Sequence, residues 1–479
     1  MSFPVTASSF LRAPRTSLVL SACAALLAGC SFRMDPVDNP VKLPVTWDTK
    51  PAAIAPAPTE KNLPSDWWTN FDSPQLKQLV EEALTGNPTL QIAEERLRQA
   101  ERALSVSRDN LMPDLSVNGS TSRTRSDGPG LPAATRESTT VSGQLRYDVD
   151  LWGGGAASLR ASKATLASTR YDLDRSRLAL SANVATQYFQ LLSIRARVAI
   201  ARDNLSVAER LLRIVDARYR NGVARQLDFT QQNVAVLQQR TNLIPLEAQE
   251  RQTETALGLL LGRVPQEFHV DGETFERIAV PEVQPWLPSE LLLRRPDLAV
   301  AEANLSAAHA DIAVARANLL PGAISLTAGG GLASSQLLSL TDPTKTFSVS
   351  GVLSIAESIF SFRARKVQVD NARSSEAISL LNYASAIRTA LKDVDDSLAN
   401  AQTDLRREES QKATLEQAQR ALSQAELQYR EGSGDLQAVL DAQRTQFTAQ
   451  DSLSQIRLAR LNSALDLYVA LGGGWTAPR

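Results

Sequence analysis

From Val141 to Leu151 the side chains alternate without a break. Val141, Gly143, Leu145, Tyr147, Val149 and Leu151 are apolar or small, while Ser142, Gln144, Arg146, Asp148 and Asp150 are polar. A period of two with one apolar and one polar face predicts a β-strand. A weaker alternation just before it, Leu115 and Val117 against Ser116 and Asn118, predicts a partner strand across a loop containing Asp127-Gly128-Pro129-Gly130. The pattern returns later, with Ile324, Leu326, Ala328 and Leu332 set against Ser325 and Thr327. It closes with Phe347, Val349, Gly351, Leu353 and Ile355 set against Ser348, Ser350 and Ser354. Four strands in two hairpins are expected.

Around these strands the period changes to that of a helix. Leu90, Ala93, Leu97, Ala100 and Leu104 form an apolar stripe that stops at Pro113. After each hairpin comes a long helical run: no proline occurs from Ala133 to Ile244 or from Thr344 to Ala477, and both stretches are rich in the helix formers alanine, leucine, glutamine and arginine. A helix from Ala156 to Arg220 would extend about 95 Å at 1.5 Å per residue. Glycines at 222 and 432 predict turns that send the chain back as a second helix. The two halves also match each other at a spacing of about 208 residues: Pro88/Pro296, Leu90/Leu298, Glu94/Glu302, Arg108/Arg316, Asn110/Asn318 and Pro113/Pro321 coincide. Tyr219-Arg220-Asn221-Gly222 likewise falls opposite Tyr429-Arg430-Glu431-Gly432. A period this long marks a duplicated half rather than a solenoid unit.

Strands of about ten residues, apolar on one face and polar on the other, are what an outer-membrane barrel requires, because lipid offers no partner for backbone groups. Four strands cannot close by themselves. Two chains would give eight strands and a side-chain-filled interior; three would give twelve and a true lumen. Association follows, and the long helices, which can carry a lumen onward as a tube, favour a trimer without selecting it alone.

The amino terminus bears on location. Arg12 and Arg15 precede an uncharged stretch from Thr16 to Gly29, the layout of a secretory signal, too short for a spanning helix. Leu27-Ala28-Gly29-Cys30 resembles a bacterial lipobox, which implies cleavage before Cys30 and acylation of its thiol; Ser31 in place of Asp implies the outer membrane. Prolines such as those in Pro51-Ala52-Ala53-Ile54-Ala55-Pro56-Ala57-Pro58 predict an extended tether, with a folded body starting near Trp67-Trp68.

Composition narrows the remaining classes. Lysine plus arginine (51) balances aspartate plus glutamate (52), so nothing points to nucleic acid as a partner. Of two cysteines, Cys23 lies in the signal and Cys30 is the expected acylation site; with two histidines, His269 and His309, neither a disulfide nor a histidine metal site is expected. Asp393, Asp395 and Asp396 read as a solvated or lumen-facing helix surface. Gly153–Gly155 and Gly329–Gly331 lack the spacing and lysine of a phosphate loop and read as strand-to-helix bends or close packing. No nucleophile, base and orienting group recur together, so no catalytic residues and no cofactor beyond the Cys30 lipid are expected.

Several patterns then identify the chain as resembling the outer membrane factors, the TolC-like and OprM-like channels, most closely their NodT-type lipoprotein branch. They are Asp150-Leu151-Trp152-Gly153, Val184-Ala185-Thr186-Gln187-Tyr188-Phe189, Leu259-Leu260-Leu261-Gly262-Arg263-Val264-Pro265 and Leu293-Arg294-Arg295-Pro296-Asp297-Leu298. Val394-Asp395-Asp396, Leu440-Asp441-Ala442-Gln443-Arg444 and Ala470-Leu471-Gly472-Gly473-Gly474-Trp475 complete the set. The resemblance implies a mixed α and transmembrane-β fold: a homotrimeric twelve-stranded barrel continuous with a periplasmic α-helical barrel. Its segments would be a signal peptide (1–29), an acylated tether (30–66), a first belt segment (67–87), a helix (88–112), a β-hairpin (113–152) and a long helical hairpin (153–261). The second half would follow as a belt segment (262–295), a helix (296–320), a β-hairpin (321–360), a helical hairpin (361–471) and a tail (472–479).

The implied function is the outer-membrane exit duct of a tripartite efflux or secretion system. Its implied partners are a periplasmic adaptor (membrane fusion) protein, an inner-membrane pump of the RND type and outer-membrane lipid. By position after the turn glycine, Asp441 matches the family's aspartate ring at the periplasmic gate. Gln437 stands where the family has an apolar constriction, with Leu436 beside it and Asp435 as a further candidate. The turns Arg220-Asn221-Gly222-Val223 and Arg430-Glu431-Gly432-Ser433 are the implied adaptor contacts. A lipid-anchored periplasmic coiled-coil scaffold or adaptor is the competing class, against which the four amphipathic strands argue.

Overall fold

The computed structural model describes residues 41–44, 46–47, 65–128, 131–281, 288–291, 293–320, 323–336, 338–340, 343–354 and 359–477. Cys30, the signal and much of the tether lie outside the described residues. The chain divides into two compact units, one drawn from residues 101–165 and 305–380 and the other from residues 40–100, 166–304 and 381–479.

The first unit holds the sheet. Strands β1 (Asp114–Gly128), β2 (Leu131–Val149), β3 (Ala323–Ser334) and β4 (Thr344–Ser354) pair antiparallel in the order β1-β2-β3-β4. The expected hairpins are therefore one sheet, joined where Gly143 of β2 faces Gly330 of β3. β2 begins well before Val141, and Leu151 falls beyond its end in a turn. Cross-strand rows separate the two faces. Leu115–Leu145–Ala328–Val349 and Val117–Gly143–Gly330–Phe347 lie on one; Ser116–Gln144–Gly329–Ser348 and Asn118–Ser142–Gly331–Thr346 lie on the other. Gly329–Gly331 thus sits inside β3, not at a strand-to-helix bend, and a Cβ on Gly331 would stand 2.8 Å from the Val141 carbonyl oxygen.

The apolar face is open. Val117 is 72% exposed, Val349 71% and Phe347 82%. From Val149 to Val141 the band measures about 26 Å along the strand, close to the ~25 Å apolar belt of outer-membrane barrels. It ends at the Thr121–Thr139 row, and one row further Arg123 and Glu137 form an ion pair at 3.4 Å. On the polar face hydroxyls bond across strands, Ser120 to Thr140 at 2.7 Å and Ser122 to Ser138 at 2.9 Å. Among the described residues β1 and β4 each pair along one side only.

The other long elements are helices: α1 (Pro74–Gly86), α2 (Pro88–Asp109), α3 (Gly154–Arg220), α4 (Gln226–Leu260), α5 (Pro296–Leu319), α6 (Ile359–Glu431) and α7 (Leu436–Ala470). α3 has 67 residues, about 100 Å of rise, and α6 has 73. Gly153, at φ +73°, makes the bend from strand to α3, whose first free N–H groups, those of Gly155 and Ala156, are taken by the Asp150 carboxylate at 3.1 and 2.8 Å. α4 continues through Pro245.

In the second unit the main core gathers Trp67, Phe71, Tyr188, Phe189 and Tyr468 with Leu76, Leu79, Phe268, Phe275 and Ile278. It joins the segment before Pro88 and the 262–281 segment to the long helices, where the belt is expected. Part of the tether is packed rather than free: Val41, Leu43 and Trp47 lie against a second cluster of Leu291, Leu298, Ile387 and Val394. Among the described residues no helix is long and apolar enough to cross a membrane.

Candidate functional site

The duplicated halves meet their return helices through the same joint, built with different chemistry. In the first half, Asn87 precedes the proline that starts α2. Its Oδ1 accepts the Thr89 N–H at 2.8 Å, and its Nδ2 donates to the last carbonyl of α4, Leu260, at 2.8 Å. In the second half Arg295 holds the matching place before Pro296, and its Nη1 donates to the last carbonyl of α7, Ala470, at 2.9 Å. Backbone then crowds backbone. A Cβ on Gly262 (φ +75°) would stand 2.3 Å from the Gly86 oxygen, and one on Gly472 (φ +89°) 1.8 Å from the Arg294 oxygen. Arg295 is buried and pairs with Asp297 at 2.7 Å and Asp393 at 3.2 Å. Burial works against its charge, but the two carboxylates outweigh it and raise the guanidinium pKa. Asp393 is thereby committed to an ion pair, Asp396 is paired with Lys392 at 2.5 Å, and Asp395 has a partner too.

Two arginines hold the belt by its carbonyl groups. Arg195 of α3 donates to Val270 O at 2.7 Å while paired with Glu250 (3.1 Å) and Glu254 (2.9 Å) of α4. Arg457 of α7 donates to Glu276 O at 2.7 Å and Ile278 O at 3.0 Å. It also pairs at 3.2 Å with Glu408, whose side chain is 1% exposed and is met as well by Lys412 (3.0 Å) and Arg460. Burial pushes the Glu408 carboxyl up, and Arg460 and Lys412 more than reverse this, leaving it below its ordinary range.

The two helix turns are pinned to one another. Gly222 (φ +72°) and Gly432 (φ +79°) take the left-handed conformation, and the next amides return to Arg218 O (2.8 Å) and Gln428 O (2.9 Å) in Schellman fashion. Arg218, at the end of α3, donates to Tyr429 O at 2.6 Å and lies 4.7 Å from the Tyr429 ring. Beneath, Leu211, Val215, Leu422, Tyr429, Leu436 and Val439 form a small core. Asp228 accepts the Arg225 N–H at 3.0 Å at the start of α4. Val223, in the first turn, is 65% exposed.

The gate candidates separate by environment. Asp441 and Gln437 are on the exposed side of α7. Asp441 accepts from Gln437 Nε2 and from Arg444 Nη2, both at 3.2 Å, so its charge is offset by a cation one turn away. Leu436 does not project into open space; it is 3% exposed within the turn core, which corrects its candidacy as a constriction. Asp435 is the N-cap of α7, accepting the Ala438 N–H at 2.9 Å, so it too has a local task. His309 bonds to Glu376 between α5 and α6. No group of three or more histidine, cysteine or acidic residues suited to a metal exists among the described residues. Sequence reasoning misses Arg195, Glu408 and Arg457. Their partners lie on other segments, so spacing carries no trace of them, whereas the aligned Asn87-Pro88 and Arg295-Pro296 could have revealed the joint.

Comparison with known proteins agrees with this architecture. The model of the outer membrane efflux protein family matches residues 79–263 and 287–473, the two halves of the duplication. The pyoverdine export outer membrane protein OpmQ of Pseudomonas aeruginosa is 35% identical over 469 residues, 96% of this chain and 97% of that protein. The probable efflux pump outer membrane protein TtgC of Pseudomonas putida is 30% identical over 470 residues, 96% of each chain. The solved structure of the outer-membrane channel OprN superposes with a TM-score of 0.80 at 27% identity, covering 92% of this chain and 99% of that one. With its amphipathic four-stranded sheet and long helical hairpins, the chain belongs to the outer membrane efflux protein family and is an efflux channel of the outer membrane.

Proposed function

We propose that three copies of this chain close a single barrel, forming the passive exit duct of a tripartite system in which a periplasmic adaptor and an inner-membrane pump deliver the cargo. The observation that carries this reading is the sheet: one face apolar and open, one polar, and two edges with no strand partner among the described residues. In lipid those edges must pair, so β1 of one copy meets β4 of the next. Barrel size follows from side-chain volume. An eight-stranded barrel is filled by its inward side chains, and between the Asn118 and Ser122 rows the polar face is mostly serine, threonine, alanine and glycine, too small to fill one. Twelve strands leave them around a lumen.

The adaptor would dock at the turns, where Arg220, Asn221, Gly222 and Val223 lie near Arg430, Glu431, Gly432 and Ser433 across the Arg218–Tyr429 contact. Asp441 with Gln437 remains the candidate gate, and Cys30 the candidate lipid anchor. As in the pyoverdine exporter it resembles, the cargo would be an organic molecule. Native mass spectrometry in detergent tests the assembly. Three chains per particle is the expected result, and a stable monomer or dimer retaining its β-sheet spectrum would overturn it.

A further inference from the structure

The polar face of the sheet carries information about what passes. Between the Asp114–Arg146 row at one end and the Thr124–Arg136 row at the other, no side chain on this face is charged among the described residues. From Ser116 to Ser122 this uncharged stretch runs about 20 Å along β1. Its wall is made of hydroxyls, with the amides of Asn118 and Gln144, and hydroxyls on neighbouring strands are bonded to each other, as in Ser120–Thr140 and Ser122–Ser138. At the helix-proximal end Arg146 lies between two acids, opposite Asp114 in register and paired with Asp148 at 3.1 Å. There the charges largely offset each other, and at the far end Arg136, opposite Thr124, stands about 20 Å along β2 from Ser142.

On the reading that this face lines the lumen of a closed barrel, we infer that the barrel stage selects by hydrogen bonding and size rather than by charge. The cargo class it suits is a polar organic solute rich in hydroxyl or amide groups, in preference to an inorganic cation. A hydroxyl gives and accepts hydrogen bonds, so the wall can exchange partners with such a solute at each step without holding it. A cation would find no carboxylate, imidazole or thioether along that stretch. By contrast, a cleft lined by one sign of charge concentrates counter-ions by about 10- to 1,000-fold. The wall here has no means of doing so.

Site-specific modification tests this in the full-length protein reconstituted in liposomes. Ser142, in the middle of the uncharged stretch, is replaced by cysteine. The rates of reaction with membrane-impermeant cationic and anionic thiosulfonates are then measured and divided by their rates with a free thiol. The corrected rates should agree within about threefold, because no wall charge enriches either reagent. A bias of tenfold or more in either direction would overturn the inference. Adding Ser348→Asp, one row away, should create a bias toward the cationic reagent of about tenfold. An unchanged ratio would show that wall charge does not govern passage here, and the inference would fall. If Ser142→Cys reacts with neither reagent while Val117→Cys reacts with both, the lumen assignment itself is wrong, which separates failure of the duct reading from failure of the selectivity inference.

Discussion

Replacing Arg457 by alanine should free the belt from α7 while leaving the helices folded. The guanidinium makes two short bonds to Glu276 O and Ile278 O and a longer contact to Phe275 O at 3.5 Å. Charge-assisted hydrogen bonds are each worth about 1.5–3 kcal/mol net. Part of this returns, because the carbonyls near the surface can bind water and Glu408 keeps Arg460 and Lys412. A net loss of about 2–3 kcal/mol for local opening is left, equivalent to about 30- to 150-fold faster amide exchange. Hydrogen–deuterium exchange read by mass spectrometry should show this acceleration in peptides covering 268–281, and little change in peptides from α3 or α6. Lys412→Ala provides the contrast: its side chain is 56% exposed, so the change should be at most a few-fold. Unchanged protection of 268–281 in Arg457→Ala would refute the clamp. The pH dependence has a definite sign. Because the Glu408 carboxyl is held below its usual range, its contribution is complete above the unfolded value of about 4.3 and is lost as pH falls through the folded one. After correction for intrinsic rates, belt exchange should be flat from about pH 8 to 5 and accelerate only below about pH 4.

Two glycines with left-handed backbones should respond differently to alanine. Gly432 has nothing within 4 Å of the place a methyl group would take, so Gly432→Ala costs about 1 kcal/mol of backbone strain, whereas Gly472→Ala drives a Cβ to 1.8 Å from Arg294 O and should yield little folded protein in a heat-denaturation assay. Similar melting of the two variants would count against the joint. Divalent cations on the periplasmic side should alter the conductance of the wild-type channel in planar bilayers; Asp441→Ala should weaken the response and Arg444→Ala strengthen it, since Arg444 now offsets the acid. Equal responses in all three would remove Asp441 from the gate. Cys30→Ala should abolish incorporation of radioactive palmitate, and continued labelling would exclude Cys30 as the acylated residue.

The strands, the long helices and the turn glycines were legible in the sequence because each is a local pattern: a period of two, a run of helix formers, a position that needs positive φ. The duplication even placed the second half from the first. Legibility stopped where the cause is tertiary. Leu436 beside Gln437 looks like a pore residue in one dimension, but the turn folds it under Tyr429 and Val439. Glu408 is an ordinary helix acid by spacing, and only the return of α7 brings Arg457 and Arg460 to it. The joining of the hairpins through β2 and β3 was hidden for the same reason, since their pairing spans nearly the length of one repeat.

The Asn87 and Arg295 joints give twin halves unequal temperaments. The amide of Asn87 carries no charge, so its bonds at the first seam are made between neutral dipoles. At the second, a buried guanidinium is held by Asp297, Asp393 and the Ala470 carbonyl, so the seam rests on fixed charges that must be kept together. A chain that doubled itself has thus closed one copy with neutral dipoles and the other with a caged charge, so losing a single side chain costs far more at the second seam than at the first.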